Sequence, residues 1–234
     1  MSKLGAEFIG TFALVFAGTG AIVIDETTSG AVTHVGISLT FGLIVLAMIY
    51  TVGDISGAHL NPAVSLGFFL ARRFPLRELI PYVASQCGGA LAASGMLRIL
   101  FPQNHMLGTT IPAGSAMQSF VMELILTAIL MFVVLSVSMG AAEKGATAGI
   151  VVGAVIGLEA MFAGPICGAS MNPARSLGPA VASGHFEHLW IYFFAPVGGV
   201  FAGVLSCRCV RERGCCSGPG LHRGSDARAA TTTC

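Results

Sequence analysis

The chain has 234 residues, of which 54% are hydrophobic and only 10% are charged, and its net charge is +1 at neutral pH. Soluble domains carry about 25% charged residues, so this composition argues against a soluble domain and favours a surface that faces lipid. The near-zero charge and the lack of basic runs with interleaved aromatic residues argue against a nucleic-acid partner.

Six apolar stretches are long enough to cross a bilayer as helices, which takes roughly 20 residues each. They cover residues 4–24, 35–52, 79–100, 117–139, 146–163 and 189–207. Lys3 is the only basic residue before the first stretch. This stretch is also too long for the core of a signal peptide, so we expect it to be retained.

The Lys and Arg residues predict the orientation of these spans. With the N-terminus in the cytoplasm, ten of the twelve basic residues lie on the cytoplasmic side, and only Arg98 and Arg175 lie elsewhere. This bias is the positive-inside signal of a multi-pass protein. We therefore expect a plasma (inner) membrane protein with both termini cytoplasmic. A single transmembrane domain over residues 1–216 would precede a disordered cytoplasmic tail at 217–234, which is rich in small and polar residues.

One segment of the chain occurs twice. Residues 56–67 read SGAHLNPAVSLG and residues 167–178 read CGASMNPARSLG, so eight of twelve positions are identical at an offset of 111 residues. Each copy follows two apolar spans and precedes one, which divides the chain into halves at about 1–110 and 111–216. Because each half has an odd number of spans, the second half has the opposite orientation in the membrane, as in an inverted-topology repeat.

Each copy is followed by an apolar stretch, residues 62–71 and 173–182, that is too short to cross the bilayer. Pro suits the first position of a helix and Asn suits the N-cap, so Asn61-Pro62 and Asn172-Pro173 each predict the start of a half-helix. Alternatively, Asn-Pro marks two ordinary loop turns, but its occurrence in both inverted halves disfavours this. We expect an all-α membrane protein with six transmembrane helices and two re-entrant half-helices that meet near the midplane.

The paired signatures Asn61-Pro62-Ala63 and Asn172-Pro173-Ala174 resemble those of the aquaporin, or major intrinsic protein, family. The similarity covers roughly residues 4–210, and the segment GPICGASMNPARSLGPA resembles the nodulin-like intrinsic branch and its bacterial relatives. The resemblance implies an aquaporin-like fold and a homotetramer with one pore in each subunit.

Two half-helix N-termini that face each other concentrate positive potential at the pore centre, which repels cations and hydronium. The side-chain amides of Asn61 and Asn172 can each donate a hydrogen bond to a passing oxygen. A water molecule held by both donors cannot relay a proton. Arg175 lies in an otherwise apolar half-helix, where an Arg is costly and therefore indicates function. Alternatively, its side chain extends to the membrane surface and marks only the helix end.

By resemblance, the narrowest point of the pore is a ring of Phe41, Ala160, Ala169 and Arg175. The ring departs from the water-channel pattern, which has His where Ala160 lies, and from the glycerol pattern, which favours Trp where Phe41 lies. Two alanines predict a wide, apolar ring that passes small polyols or undissociated metalloid acids as well as water. A side chain outside the ring, such as Glu159, would narrow it again if it reached the pore.

Glu7 and Glu123 lie inside the first and fourth spans, where a carboxylate must be paired or hydrogen-bonded. The resemblance implies that they brace the re-entrant loops, and the alternative is a proton relay. His59 is expected either to line the cytoplasmic half of the pore or to be packed beside it. Cys167 is expected near the outer mouth. Glu159 is expected either to hold an outer loop or to line the vestibule.

The leading functional hypothesis is a passive channel in the lipid bilayer for water and small uncharged solutes, which excludes protons and ions. A water-selective channel is the nearest alternative. A coupled secondary transporter, which inverted repeats also build, and a structural membrane protein are more distant. We expect no enzyme activity, no cofactor and no metal, because phosphate-binding, nucleophile and metal-ligand motifs are absent from the sequence.

Overall fold

The computed structural model describes residues 2–138 and 142–210, with only the backbone described over 142–146. These residues form eight α-helices, numbered α1 to α8 in chain order. Their bounds are Ser2–Thr27, Thr33–Ser56, Pro62–Leu70, Leu76–Leu100, Ala116–Val137, Ala142–Cys167, Pro173–Ser183 and Ile191–Val210. The expected tail at 217–234, and the domain end at 216, lie outside the described residues.

Six of the eight helices correspond to the predicted spans. Five of them (α1, α2, α5, α6 and α8) contain segments long and apolar enough to cross a membrane. The sixth, α4, has 25 residues, but it carries Arg77 and Glu78 in its first turn and Arg98 in its last. Its length therefore fits a membrane span, and its charged ends make it less apolar than the other five.

The outer surface of the helix bundle is apolar and its interior contains polar groups. Among the most exposed large side chains are Ile80 and Ile99, each 73% exposed, and Phe194, which is 66% exposed. Glu7 and Glu123, in contrast, are fully buried. This arrangement is the reverse of that in a soluble protein and is suited to a lipid environment, where internal polar groups must be satisfied within the protein.

Glycines allow the helices to pack closely, and they do so at related places in the two halves. A Cβ atom at Gly89 of α4 would collide with the Phe8 carbonyl oxygen of α1. A Cβ atom at Gly199 of α8 would likewise collide with the Leu124 carbonyl oxygen of α5. The inverted 3+3 repeat predicted from the sequence is therefore repeated in the packing of α1 on α4 and of α5 on α8.

The two half-helices α3 and α7 begin as the sequence predicts. Asn61 caps α3 by accepting a 2.8 Å hydrogen bond from the Ala63 N–H, and Pro62 occupies the first turn. Asn172 caps α7 by accepting hydrogen bonds from the N–H groups of Ala174 at 3.0 Å and Arg175 at 3.2 Å. The half-helices end at Leu70 and Ser183, one residue before and one residue after the predicted ends.

Candidate transport pore

The two caps are linked to each other across the repeat. The Asn61 amide Nδ2 donates a 2.8 Å hydrogen bond to the Met171 carbonyl oxygen, and Asn172 Nδ2 donates a 2.9 Å hydrogen bond to the Leu60 carbonyl oxygen. Each asparagine side chain thus binds the backbone of the residue that precedes the other asparagine, and the N-termini of α3 and α7 are held end to end. Because an amide nitrogen carries two hydrogens, each asparagine keeps one donor for a molecule in the pore.

The loops before both caps contain the same run of left-handed backbone conformations. Ala58 and Leu60 have φ values of 46° and 53°, and Ala169 and Met171 have φ values of 40° and 52°. Residues other than glycine adopt such angles at a cost of about 1–3 kcal/mol each, so the surrounding structure must hold them in place.

Glu7 of α1 supplies much of the support for the first loop. Its carboxylate accepts hydrogen bonds from the backbone N–H groups of His59 at 2.9 Å and Leu60 at 2.7 Å. It also accepts hydrogen bonds from Ser56 Oγ at 2.7 Å and Gln86 Nε2 at 2.8 Å. Four donors therefore surround this buried carboxylate.

Glu123 of α5 has the corresponding place beside the second loop. Its two oxygens accept hydrogen bonds from the N–H groups of Ser170 and Met171, each at 2.7 Å. Both expected bracing carboxylates thus contact the loop that precedes a half-helix.

Two tyrosines, missed by the sequence analysis, also hold these loops. The Tyr82 hydroxyl donates a 2.9 Å hydrogen bond to the Ser56 carbonyl oxygen, and the Tyr192 hydroxyl donates a 2.8 Å hydrogen bond to the Cys167 carbonyl oxygen. The tyrosines are 110 residues apart, close to the offset of the repeat, which is the signal that would have identified them.

A cavity of about 120 Å³ runs past both asparagines. Aliphatic side chains form most of its wall, and no carboxylate of the described residues lines it. His59 lines it as well, while its ring stacks on Phe68 with centroids 4.6 Å apart and its Nδ1 lies 3.0 Å from Ser65 Oγ. Both alternatives for His59 thus apply, because the side chain is packed and faces the cavity.

The four expected ring residues lie together where this cavity meets a second space, here called the vestibule, which is also lined by His34 and Gly164. Phe41, Ala160, Ala169 and Arg175 line both spaces. The Arg175 guanidinium donates a 2.9 Å hydrogen bond to the Gly108 carbonyl oxygen, and its Cζ lies 5.1 Å from the centroid of the Phe41 ring. Arg175 is only 3% exposed. Its side chain is therefore turned inward and does not extend to the membrane surface.

Two side chains near the ring lie outside the pore. Cys167 is fully buried with its thiol pointing to the Ala163 carbonyl oxygen, so it lines neither space, although the adjacent Gly168 lines the vestibule. It occupies the repeat position of Ser56, at the end of the helix before the loop. Glu159 is 1% exposed and lines neither the cavity nor the vestibule, so it does not narrow the ring.

Comparison with known proteins agrees with this architecture. The family model described as major intrinsic protein matches residues 1–206. The chain belongs to the major intrinsic protein family. It is 47% identical to aquaporin NIP1-1 of Oryza sativa subsp. japonica over 212 residues, which cover 90% of this chain and 75% of that protein. It is 45% identical to nodulin-26 of Glycine max, covering 90% of this chain and 78% of that protein.

A solved structure shares the fold. The X-ray structure of the aquaglyceroporin from Plasmodium falciparum superposes with a TM-score of 0.79 at 28% sequence identity, covering 89% of this chain and 96% of that one. The expected resemblance to the nodulin-like branch is confirmed. The protein is therefore an integral membrane protein of a family of channels for water and small solutes, which are not enzymes.

Proposed function

We propose that the protein is a passive channel for water and for small uncharged solutes such as glycerol-like polyols and undissociated metalloid acids, and that it excludes protons and ions. The observation that carries the proposal is the composition of the ring, where two alanine methyl groups face the junction of the cavity and the vestibule. Small side chains leave room for a solute larger than water, and pore width is one of the levers of channel selectivity.

The ring also offers two different surfaces to a solute. Phe41 and the alanines provide an apolar side, while the buried Arg175 guanidinium retains N–H groups beyond the one bound to Gly108. A polyol needs both, because its carbon chain is apolar and its hydroxyl groups need hydrogen-bond partners. The fixed positive charge at the same place opposes the passage of cations.

Exclusion of protons rests on the centre of the pore. Asn61 and Asn172 are held by their caps and by the bonds across the repeat, so their remaining N–H groups have fixed directions. A water molecule that accepts both donors turns its hydrogens away from the centre. The two half-helix N-termini add positive potential there.

The alternatives have less support. A coupled transporter needs a site for its coupling ion, and among the described residues the cavity wall contains no carboxylate. A water-selective channel needs a narrower ring, and Glu159, the side chain that we considered for this, does not reach the pore. From the family resemblance we propose a homotetramer, and from the distribution of Lys and Arg we propose a plasma (inner) membrane location with cytoplasmic termini.

The test is stopped-flow light scattering of proteoliposomes, first with an impermeant osmolyte and then with glycerol. We expect fast shrinkage in both, followed by rapid reswelling in glycerol. Shrinkage without reswelling would leave a water-selective channel, and rates no higher than those of empty liposomes, from folded protein, would exclude an open channel. Dependence of uptake on a proton or sodium gradient would favour the transporter.

A further inference from the structure

Glu159 of α6 is a carboxyl group for which the channel architecture gives no role. It is 1% exposed, and neither of its oxygens has a hydrogen-bond partner among the described residues. A buried carboxyl group without partners is strongly destabilising, and more so if it is charged. Among the described residues, the Glu123 carboxylate of α5 is the charged group that acts on it.

The repeat shows what Glu123 lacks in comparison with Glu7. Two of the four donors to Glu7 are the side chains of Ser56 and Gln86. The offset of 111 residues places Cys167 at the position of Ser56, and the offset of 110 that relates Tyr82 to Tyr192 places Pro196 at the position of Gln86. A thiol is only a weak hydrogen-bond donor and a proline side chain has no donor. Among the described residues, the strong hydrogen bonds to Glu123 therefore come from the two backbone N–H groups of Ser170 and Met171.

Glu159 breaks the repeat near this gap. Gly42 of α2 and Gly153 of α6 contact each other's carbonyl oxygens and are 111 residues apart, which fixes the correspondence of the two helices. At this offset, the residue equivalent to Glu159 is Met48, an apolar side chain. The second half therefore has an additional carboxyl group close to the one bracing carboxylate that has fewer donors.

We propose that Glu159 is a positioning residue that, as an uncharged carboxylic acid, donates a hydrogen bond to the Glu123 carboxylate, directly or through one buried water. In this role it takes the place of Gln86 of the first half. Through Glu123 it holds the N–H groups of Ser170 and Met171, and with them the loop that carries Ala169 and leads into Arg175.

The location of the proton follows from the surroundings of the two groups. Two neighbouring carboxylates in a buried site do not both stay charged, so the pair holds one proton. Burial disfavours the charge on both groups, but Glu123 accepts two backbone N–H bonds and lies near the positive charge of Arg175, whereas Glu159 has neither. The proton is therefore placed on Glu159. The two carboxyl groups are not hydrogen-bonded to each other in the structure, so a rotation of the Glu159 side chain or one bridging water would complete the contact.

Infrared spectroscopy of the full-length protein in lipid tests the protonation directly. We expect the wild-type protein at neutral pH to show a carboxylic-acid carbonyl band that shifts in D₂O and is missing from Glu159→Gln. If the wild type lacks this band, or if the band persists in Glu159→Gln, the proposal is overturned. This measurement does not depend on channel activity.

Permeability of proteoliposomes tests the positioning role, and it rests on the proposed channel function. Glu159→Gln keeps an N–H donor, so its water and glycerol permeabilities should remain within about twofold of wild type. Glu159→Met introduces the residue found at the equivalent position of the first half and has no donor. Its permeabilities should fall about tenfold, the factor that corresponds to one charge-assisted hydrogen bond. Equal rates in the two variants would overturn the role of the donor. If the wild type itself shows no flux but retains the infrared band, the channel function fails and the proton-holding pair stands.

Discussion

The closest approach of α2 to α6 allows a sharp test of the packing beside the ring. A Cβ atom at Gly42 would lie 2.6 Å from the Gly153 carbonyl oxygen and 3.2 Å from the Gly157 Cα. Both atoms belong to the backbone and cannot rotate away. To reach the ordinary contact distance of 3.4 Å, Gly42→Ala must move α2 and α6 apart by about 0.8 Å, which is an overpacking substitution.

The expected magnitude follows from this displacement. Overpacking typically costs about 1–3 kcal/mol, partly offset by the higher helix propensity of Ala, which is worth about 1 kcal/mol over Gly. For a chain of this size, 1 kcal/mol corresponds to roughly 2–4 °C in melting temperature. We therefore expect Gly42→Ala to lower the melting temperature of the detergent-solubilised protein by a few degrees, measured by thermal unfolding.

Gly157→Ala is the matched control, because it makes the same substitution at the same helix pair. Its Cβ atom would meet the Ser38 carbonyl oxygen at 3.4 Å and the Gly42 Cα at 3.6 Å, which are ordinary contacts. The helix propensity of Ala should then leave this variant unchanged or more stable by up to about 1 kcal/mol. If the melting temperature fell by the same amount in both variants, the close approach at Gly42 would not be the cause of the destabilisation and the reasoning would be refuted.

The separation of α2 and α6 in Gly42→Ala should also change the ring, because Phe41 precedes Gly42 on α2 and Ala160 lies one turn beyond Gly157 on α6. Separating the helices moves these two side chains apart. Gly42→Ala should therefore raise the ratio of glycerol to water permeability in proteoliposomes, whereas Gly157→Ala should leave it unchanged. A ratio that falls or stays constant in Gly42→Ala would contradict this geometry.

Three further substitutions test the pore and its supports. Ala160→His narrows the ring, so glycerol permeability should fall at least about tenfold in stopped-flow measurements while water flow persists; parallel losses would contradict a ring set by this position. Arg175→Val removes a charge that repels a cation about 4 Å away by about 4 kcal/mol at an effective dielectric of about 20, so proteoliposomes should leak cations. An unchanged cation leak would place the barrier elsewhere. Glu7→Leu removes the acceptor shared by four donors, at about 1–3 kcal/mol for each donor left unsatisfied, so less folded protein should be recovered by size-exclusion chromatography. Wild-type yield and stability would contradict its bracing role.

The starts of the half-helices could be predicted because they depend on local chemistry. Asn caps a helix and Pro suits its first turn regardless of the rest of the fold, and Asn61-Pro62 and Asn172-Pro173 behave accordingly. The bonds from each asparagine to the loop of the other half were not predicted. They depend on the relative placement of segments that are 110 residues apart in the chain, which no local pattern reports.

The burial of two side chains near the ring was not predicted for a similar reason. The position of Cys167 at the end of its span predicts a place near the outer mouth, but whether its side chain faces the pore or the protein interior depends on the neighbouring helix. α5 brings Glu123 to that side, and Cys167 is buried there like its counterpart Ser56. The same neighbour buries Glu159 away from the pore. Comparing the two halves position by position would have indicated both outcomes, since the helix neighbours repeat as the sequence does.

Comparison of the halves also separates residues that build the fold from residues that set its selectivity. The capping asparagines, the bracing glutamates and the tyrosines that hold the loops are the same in both halves, because both loops make the same turn. The cavity wall differs at equivalent positions: Ile49 and Val64 in the first half correspond to Ala160 and Arg175 in the second. A symmetric wall would treat the two ends of the pore alike. In the proposed channel, these replacements put a smaller side chain and a charge at one end of the pore, and we propose that the steric and electrostatic selection of solutes is concentrated there.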